Sequence, residues 1–445
     1  MRRHRRLLVV LLGLVALSVG LAACGGDDSG GAAEAPATEP APAEAPATPP
    51  AEPPAPAVPE PPAPAPAEPE APEPPTGPEP APAAGAAPAE FSFTIAEGWS
   101  AAFVDEGIKP DLALDAAGAP GITYIDEDFD GWIRFASAAE DWQPQTVAEG
   151  YFYGPIGLSY DLDGQPHVVW HDHQDANVDL NLGDLTHAAR DGSTWTIESA
   201  ADPGHDGWDS TITIAEDGVI RAAGIEPSQF GFDNGVEYYE RRDGAWVVEP
   251  VGSGPIAYEF NVSLAVSPDR LPALSYFNDG AGDLELATFD GSAWNIEKVA
   301  TEGTTGMFSS LVFDAEGREH ISFFETTDGT GLIHYAVRDG EGWTIEEVAP
   351  LDDVTLGQTG ARRNSAIALG PDGAPRIVLS DRSTLSYAVR TDSGWEVEPI
   401  VTAGEAPLGQ LVSFQLAQDG TPHLTFFEET SAGPLKGLVA YVTSS

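Results

Sequence analysis

Residues 310–348, SLVFDAEGREHISFFETTDGTGLIHYAVRDGEGWTIEEV, contain the pattern that decides the fold. Three short apolar runs are followed by the segment Trp343–Val348, and polar turns separate all four. Asp339-Gly340 is a strong hairpin signal, because Asp and Gly tolerate the positive φ angles that tight hairpin turns need. The stretch therefore predicts four antiparallel strands joined by short turns.

The tryptophan that begins the fourth strand recurs along the chain at intervals of 43 to 53 residues. The seven positions are Trp99, Trp142, Trp195, Trp246, Trp294, Trp343 and Trp395. Six are followed five residues later by Val or Ile, and Trp195 is followed by Ala200. Four strands per repeat of about 50 residues predict a β-propeller. Because a tryptophan recurs in every outer strand, we expect these rings to seal the gaps between blades rather than to stack on a sugar.

The two ends of the predicted folded region complement each other. Second strands are predicted to begin after Pro120, Pro166, Ile220, Pro272, Glu319, Pro375 and Pro422. The last unit, 412–443, lacks a tryptophan strand, and Trp99–Val104 supplies one, which closes the ring and removes open sheet edges. The sequence thus predicts an all-β, seven-bladed β-propeller of four-stranded blades over 91–445, closed by an N-terminal outer strand. A β-sandwich or an open β-solenoid has similar strand spacing but does not explain this circular offset.

Residues 1–23 have the composition of an export signal. Four arginines precede the apolar run Leu7–Leu21, which is short for a membrane span of ~20 apolar residues. Leu21-Ala22-Ala23-Cys24 resembles the lipobox of bacterial lipoproteins, which implies that Cys24 carries lipid and becomes the mature N-terminus. The protein is accordingly expected in the cell envelope, outside the cytoplasm and anchored to a bacterial membrane through that lipid. An uncleaved membrane anchor is the alternative.

Residues 24–90 are predicted to form a disordered, Pro/Ala/Glu-rich stalk that begins at the lipidated cysteine. Residues 32–90 hold 22 of the 40 prolines and ten glutamates, without Lys, Arg or aromatic residues. This composition has too little apolar bulk to fold, and prolines with mutually repelling glutamates favour an extended, semi-rigid chain. Because Cys24 is the single cysteine, the folded region has neither a disulfide nor a thiol for catalysis.

A polar position recurs at the ends of the predicted second strands. Its members are Asp126, Asp172, Glu226, Asn278, Glu325, Asp381 and Glu428. Since the second strands of a propeller all run in the same direction, we expect these groups to form a ring on one end of the disc, which is the candidate face for a ligand or cation. Asp175 and Asp179 follow Asp172 in a long loop, and such oxygen-rich loops suit Ca²⁺. The alternative is that the acids only bond to the backbone of adjacent turns.

The segments Asp191–Trp195, Asp290–Trp294 and Asp339–Trp343 resemble the Asp-box, or BNR-like, repeats of sialidase-type propellers. Those boxes have one residue between Asp and Gly, whereas here the two are adjacent. The resemblance implies a propeller in which the boxes are structural. Sialidase-like chemistry would need clustered arginines beside a tyrosine nucleophile with an acid partner. The arginines Arg190, Arg242, Arg338 and Arg390 recur instead near third-strand ends, and the histidines His167, His320 and His423 recur at second-strand starts, where repetition favours packing.

The predicted folded region carries 59 acidic and 16 basic residues, a net charge of −43. Binding of phosphate needs a basic footprint, so no nucleic-acid partner is expected. The sequence favours a non-enzymatic, monomeric, lipid-anchored module that binds a glycan, a peptide or an envelope protein, or acts as an envelope scaffold. It assigns no catalytic residue, and Ca²⁺ is the one cofactor considered. The alternative is a glycan-processing enzyme, either a sialidase-like hydrolase or a lyase, because a fold shared with enzymes does not decide activity.

Overall fold

The chain folds into antiparallel β-sheets in a propeller arrangement around a central channel. The computed structural model describes residues 91–126, 131–152, 154–173, 183–200, 207–226, 234–254, 256, 262–327, 330–351, 364–409, 412–430 and 436–444. These belong to the unit Pro80–Ser445, and the 3-10 helix Ala138–Glu140 is the one helical element among them. None of the described helices is long and apolar enough to cross a bilayer. The signal peptide, the lipidated Cys24 and the stalk lie outside the described residues and stay predictions.

The strands are numbered in chain order. The first ten are β1 (Thr94–Ile95), β2 (Trp99–Glu106), β3 (Ile108–Leu114), β4 (Pro120–Ile125), β5 (Gly131–Ser137), β6 (Gln145–Phe152), β7 (Gly157–Tyr160), β8 (Pro166–His173), β9 (Asp184–Asp191) and β10 (Thr194–Ser199). The next eight are β11 (Trp208–Ile214), β12 (Ile220–Glu226), β13 (Asn234–Arg242), β14 (Ala245–Gly254), β15 (Ser263–Val266), β16 (Pro272–Asn278), β17 (Asp283–Phe289) and β18 (Trp294–Ala300). The last eleven are β19 (Thr304–Phe313), β20 (Glu319–Thr327), β21 (Thr330–Asp339), β22 (Gly342–Leu351), β23 (Ser365–Leu369), β24 (Pro375–Ser380), β25 (Thr384–Thr391), β26 (Gly394–Thr402), β27 (Ser413–Leu416), β28 (Pro422–Glu429) and β29 (Gly437–Ser444).

The described strands form six hydrogen-bonded sheets. Three are consecutive four-stranded meanders, β11–β14, β15–β18 and β19–β22, and a fourth has the order β2-β29-β28-β27. A fifth adds β1 to β26-β25-β24-β23, and the sixth joins β3–β6 to β7–β10 in one eight-stranded sheet. The prediction of seven separate four-stranded blades is therefore wrong as a description of the sheets: five separate blades have four or five strands. The reason is that β6 bonds directly to β8, which merges two predicted blades.

The predicted closure of the ring is confirmed. Strand β2 pairs with β29 along its length, so a strand from the N-terminal end completes the C-terminal sheet. Strand β1 pairs with β26 and thereby extends the neighbouring sheet. Between them, the carboxylate of Glu428 accepts hydrogen bonds from the backbone N–H and the hydroxyl of Ser92, at 3.0 and 2.6 Å. The N-terminal segment is thus bonded to two neighbouring sheets.

The repeated tryptophans pack between neighbouring repeats, as predicted. Six of them lie 5.2–5.7 Å, centroid to centroid, from an aromatic ring on the third strand of the preceding repeat. The pairs are Trp99–Tyr387, Trp142–Tyr441, Trp195–Phe135, Trp246–His187, Trp294–Tyr238 and Trp395–Tyr335. The side chain five residues after each tryptophan is buried, Ala200 included. Trp142 departs from the predicted outer-strand position, because it follows the 3-10 helix with φ 57°.

Arginines on the third strands link neighbouring repeats through ion pairs. The pairs at this position are Arg190–Glu140, Arg338–Glu297 and Arg390–Glu346. In the third repeat Arg241, not the predicted Arg242, occupies the equivalent position. Arg241 is the residue that lies opposite Trp246 in the strand register, and it pairs with Glu198 at 2.9 Å.

The innermost strands β3, β7, β11, β15, β19, β23 and β27 line a channel with a volume of about 150 Å³. Side-chain oxygens on one inner strand accept hydrogen bonds from the backbone of the next. Asp111 accepts from the N–H of Leu158 at 2.9 Å, and Ser413 accepts from the N–H of Leu112 at 3.1 Å. Because inner and second strands are antiparallel, each inner strand begins at the end of the sheet where its second strand ends.

Candidate active site

The seven predicted ring residues lie at or within two positions of the ends of the second strands. Asp126, Asn278 and Asp381 each accept hydrogen bonds from nearby backbone N–H groups. The donors are Trp132, Ala281, Ser383 and Thr384, at 2.6–3.1 Å. Glu428 accepts hydrogen bonds from Ser92, as described above, and Glu226 is exposed. Asp126, Asn278 and Asp381 therefore have the local bonding role that the sequence left open as the alternative, whereas Glu428 bonds to a distant segment of the chain.

Asp172 differs from the other ring residues, because a second acid stands directly opposite it. Strands β8 and β9 pair Asp172 with Asp184, and residues that face each other in this way have Cβ atoms about 4.5–5.5 Å apart. Asp184 is 9% exposed. Burial raises the pKa of the Asp172 carboxyl group, and the negative charge of Asp184 raises it further. The site thus holds one carboxyl group with an increased affinity for a proton, directly opposite a second carboxyl group.

Gly183 allows a close approach of the chain to β8 next to this acid pair. A Cβ atom on Gly183 would lie 2.4 Å from the carbonyl oxygen of Asp172 and 2.6 Å from Cε1 of His171, so a larger residue would force the strands apart. On the other side, a Cβ atom on Gly150 would lie 3.7 Å from Oδ1 of Asp172, an ordinary van der Waals distance. Gly150 belongs to β6, the strand that bonds to β8 at this point. Among the described sheets, two repeats merge only here, where the two acids meet.

Aromatic side chains lie on both faces of β8 next to Asp172. Trp170 lies two residues before Asp172, on the same face of β8, and its ring meets that of Phe152 edge-on at 6.4 Å. Both rings are 2% exposed, and the indole N–H of Trp170 has no acceptor among the described residues. On the other face of β8, the ring of His171 lies 5.1 Å from that of Trp208. Phe152 and Trp170 belong to the hydrophobic core, so they bury the part of β8 that carries Asp172.

The predicted metal site falls mostly outside the described residues. Asp175 and Asp179 are not among them, whereas Asp172 is. Where the chain is described, no three His, Cys, Asp or Glu side chains are gathered closely enough to hold a metal ion. Binding of Ca²⁺ to this loop stays a prediction.

The histidines at the starts of second strands bond within the fold. The hydroxyls of Tyr335 and Tyr441 lie 2.6 Å from Nδ1 of His320 and of His423. In the second repeat a histidine replaces this tyrosine, and His187 lies 2.9 Å from Nδ1 of His167. Burial lowers the pKa of His167 and lowers that of His187 to about 4. Sequence reasoning missed His187, which an alignment of the third strands with one another would have identified.

A groove between the sheets β19–β22 and β23–β26 contains the residue types of a sialidase-like site. It has a volume of about 390 Å³ and is lined by three arginines together with Tyr335 and Glu346. Each arginine is paired with carboxylates: Arg318 with Asp314, Arg338 with Glu297 and Glu319, and Arg390 with Glu346. Burial raises the pKa of Tyr335, which opposes its ionisation to a nucleophile. This groove therefore does not favour sialidase-like chemistry.

No protein-family model matches the chain, and no curated protein matches its sequence. Among solved structures, the chain is similar to a polysaccharide lyase, an ulvan lyase bound to -[GlcA(1-4)Rha3S]-, with a TM-score of 0.52 and 14% identity over 78% of this chain and 95% of that one. An α-L-arabinofuranosidase from Fusarium graminearum has a TM-score of 0.46 and 14% identity over 66% of this chain and 92% of that one. An α-L-arabinanase from Penicillium chrysogenum has a TM-score of 0.46 and 12% identity over 66% and 93%. The last two similarities are too distant to carry an argument.

The similarity to the ulvan lyase establishes a propeller-like fold, and it overturns two sequence-based predictions. The sequence favoured a non-enzymatic binding or scaffold module, and it favoured an absence of enzymatic activity. Both are contradicted, because the fold of the chain is shared with an enzyme that cleaves a polysaccharide. At 14% identity the similarity concerns the fold, and the reaction of this chain is a separate question.

Proposed function

We propose that the chain is a glycan-processing enzyme, a glycoside hydrolase in which Asp172 and Asp184 are the paired carboxyl groups. The observation that carries the proposal is their direct opposition across β8 and β9, together with the raised pKa of Asp172. Glycoside hydrolysis uses two such groups, a general acid with a raised pKa and an ionised base or nucleophile. Asp172 has the environment of the acid, and we assign Asp184, directly opposite it, the role of its partner.

In this mechanism Asp172 donates its proton to the glycosidic oxygen as the bond to the anomeric carbon breaks. The carboxylate of Asp184 stabilises the positive charge that develops on the sugar ring. Carboxyl groups about 5–5.5 Å apart give retention of configuration, and groups about 6.5–9.5 Å apart give inversion. Direct cross-strand opposition favours the shorter separation, so Asp184 acts as the nucleophile and forms an ester with the anomeric carbon as the leaving alcohol departs. Water, which gives its proton to Asp172, then cleaves this ester and releases the sugar with its configuration retained.

The charge of the chain favours a neutral glycan over an anionic one. The net charge of −51 creates a long-range field that repels anionic polysaccharides. A lyase would also need a cationic group to neutralise the uronate carboxylate. At this end of the described fold, the guanidinium of Arg382 is paired with Glu429 at 2.9 and 3.0 Å, and Lys109 is only 7% exposed. The exposed Lys436 directly precedes β29, in a different sheet from β8 and β9. A hydrolase acting on an uncharged glycan fits these groups better.

We propose further that the eight-stranded sheet contains two blades, so that the ring has seven. Its halves, β3–β6 and β7–β10, each contribute one inner strand to the channel. Trp195 of the second half lies 5.7 Å from Phe135 of the first, as tryptophans do between separate sheets. The BNR-like character of the turns, the lipid on Cys24, the envelope location and the monomeric state stay proposals that rest on the sequence pattern.

The experiment is a screen of the purified full-length chain against neutral and uronate-containing polysaccharides. It follows new reducing ends and the ultraviolet absorbance of the double bond that a lyase creates. We expect reducing ends from a neutral glycan without that absorbance. Asp172→Asn should lower kcat at least about 100-fold, the usual contribution of general acid catalysis. Glu226→Gln, which changes the exposed acid at the matching position of the next repeat, should leave kcat unchanged.

Two results would contradict the proposal. Rising ultraviolet absorbance with a uronate polymer would replace the hydrolase with a lyase. Cleavage by Asp172→Asn at the wild-type rate would remove this residue from the reaction.

A further inference from the structure

A second groove lies between the sheets β15–β18 and β19–β22, at the end of the propeller where the second strands end. Its volume of about 480 Å³ is within the range of ~300–1,000 Å³ found for small-molecule sites. The side chains that matter below are Glu302, Thr305, Phe323, Glu325, His334 and Glu347. The groove shares no lining residue with the Asp172–Asp184 pair, so it is a distinct place on the same face.

Two polar side chains in this groove have unused hydrogen-bonding capacity. Thr305 is 1% exposed, lies directly opposite Glu325 in the β19–β20 register, and its hydroxyl has no partner among the described residues. The ring of His334 stacks on Phe323 at 5.4 Å, and its Nε2 lies 2.8 Å from the carboxylate of Glu325. Its Nδ1 has no partner where the chain is described. Because buried polar groups are normally hydrogen-bonded, these atoms point to a ligand with hydroxyl groups.

The charge of the groove selects a cationic ligand. Glu302, Glu325 and Glu347 line it, and no Lys or Arg is among its described lining residues. A metal ion is not favoured, since the described part of the chain gathers no set of three metal-ligating side chains. An ammonium group carries three hydrogen-bond donors and forms charge-assisted bonds with carboxylates. An organic ammonium group is therefore complementary in charge to the carboxylates of this groove.

The apolar side chains of the groove complete this description of the ligand. Phe323 and Trp343 line it, together with Ile345, which is 43% exposed. A sugar ring offers apolar C–H faces to such walls and hydroxyl groups to Thr305 and His334. A sugar that also carries an ammonium group is an amino sugar with a free amine.

We propose that this groove binds a glycan that contains hexosamine with a free amino group. The ammonium lies among Glu302, Glu325 and Glu347, and the ring hydroxyls bond to Thr305 and His334. The site is independent of the hydrolysis proposed above, and it holds an amino sugar on the same face of the propeller.

The test is calorimetric titration of the full-length chain with oligomers of glucosamine and with oligomers of N-acetylglucosamine of the same length. These ligands share the sugar ring and its linkage, but the N-acetyl group is neutral and bulkier than the ammonium, so the Glu325→Gln variant below tests the charge separately. We expect the glucosamine oligomer to bind at least about tenfold more tightly, as the loss of one charge-assisted bond implies. Glu325→Gln should weaken its binding by at least about tenfold for the same reason. Thr305→Val, which keeps the side-chain shape, should weaken it several-fold.

A matched control separates this site from diffuse attraction to an acidic protein. Glu396→Gln removes one exposed carboxylate from the outer strand β26. It reduces the negative charge of the chain by the same amount as Glu325→Gln and should leave binding unchanged. Asp172→Asn should also leave it unchanged, whether or not Asp172 is catalytic. Equal affinity for the two oligomers, or equal losses in Glu325→Gln and Glu396→Gln, would overturn the proposal.

Discussion

Replacement of His187 by tyrosine is expected to remove an acid-sensitive contact while keeping the packing between neighbouring repeats. His187 lies 2.9 Å from Nδ1 of His167, and its own Nδ1 lies 3.1 Å from the carboxylate of Glu198. In two other repeats the corresponding residues are Tyr335 and Tyr441, whose hydroxyls bond to a histidine at 2.6 Å. The substitution His187→Tyr therefore recreates, with His167, a pair that the fold already contains.

The size of the change in the free energy of unfolding follows from the pKa of His187. Burial, and after it the charge of His167, lowers this pKa from 6.5 to about 4. Between these two values the unfolded chain binds a proton that the folded chain does not, so the free energy of unfolding falls as the pH falls. A pKa difference of about 2.5 corresponds to about 3 kcal/mol. The contribution is fully present above pH 6.5 and is lost as the pH falls to about 4.

The assay is urea unfolding of the full-length chain, followed by tryptophan fluorescence from about pH 7 to about pH 4. Over this interval the free energy of unfolding of the wild type should fall by about 3 kcal/mol more than that of His187→Tyr, because titrating groups that do not contact His187 contribute equally to both proteins. Tyr335→His is the reciprocal control: it places a second histidine beside His320 and should add a similar acid-dependent loss. Parallel pH curves for the wild type and His187→Tyr would refute the reasoning.

Three further predictions concern packing, ring closure and the acid pair. Trp395→Ala should lower the free energy of unfolding by about 3 kcal/mol in urea titrations, because it leaves a cavity between two sheets. Glu428→Gln should weaken the charge-assisted bonds from Ser92 by about 1–3 kcal/mol, which hydrogen exchange of residues 91–95 would report as faster exchange. Asp184→Asn should lower the pKa of Asp172, because it removes the charge that helps to raise it; carboxyl NMR titration would measure the change, and an unchanged pKa would contradict the assigned cause.

The periodic part of the fold could be predicted from the sequence, because every repeat must bury the same positions. The side chain five residues after each tryptophan is buried in all seven repeats. The hairpin predicted at Asp339-Gly340 is present, with Gly340 at φ 61°. The second strands begin within one residue of their predicted starts. Closure by β2 could be predicted for the same reason, since a repeat without its outer strand leaves an open edge.

The local departures from the repeat could not be predicted from its period. Nothing in the composition of residues 151–152 indicates that they bond to β8 rather than end a separate blade. The shift from Arg242 to Arg241 depends on strand register, which a one-residue change reverses. Trp142 keeps its packing partner although a 3-10 helix replaces the hairpin before it. In each case tertiary hydrogen bonding or packing decided the local structure.

The sequence predicts one of the two acids in the candidate site. The sequence predicts Asp172 as a site residue because a polar residue recurs at the ends of the second strands. The same position is occupied in other repeats by acids that bond to the adjacent backbone. Asp184 was missed as its partner, because the two are separated by a long loop and meet only through the pairing of β8 with β9. The raised pKa that distinguishes Asp172 comes from burial and from that partner. Neither cause can be read from the sequence around Asp172 alone.

The most direct test of the central claim is to compare the kcat of the wild type, Asp172→Asn, Asp184→Asn and the double variant on one neutral glycan. Two carboxyl groups that act as a pair should each be indispensable, so we expect the kcat of each single variant to be at least about 100-fold lower than that of the wild type. The double variant should then lose little more than the weaker single variant, because groups that act as a unit are not additive. Losses that multiply in the double variant, or single variants with wild-type kcat, would contradict a catalytic pair formed by Asp172 and Asp184.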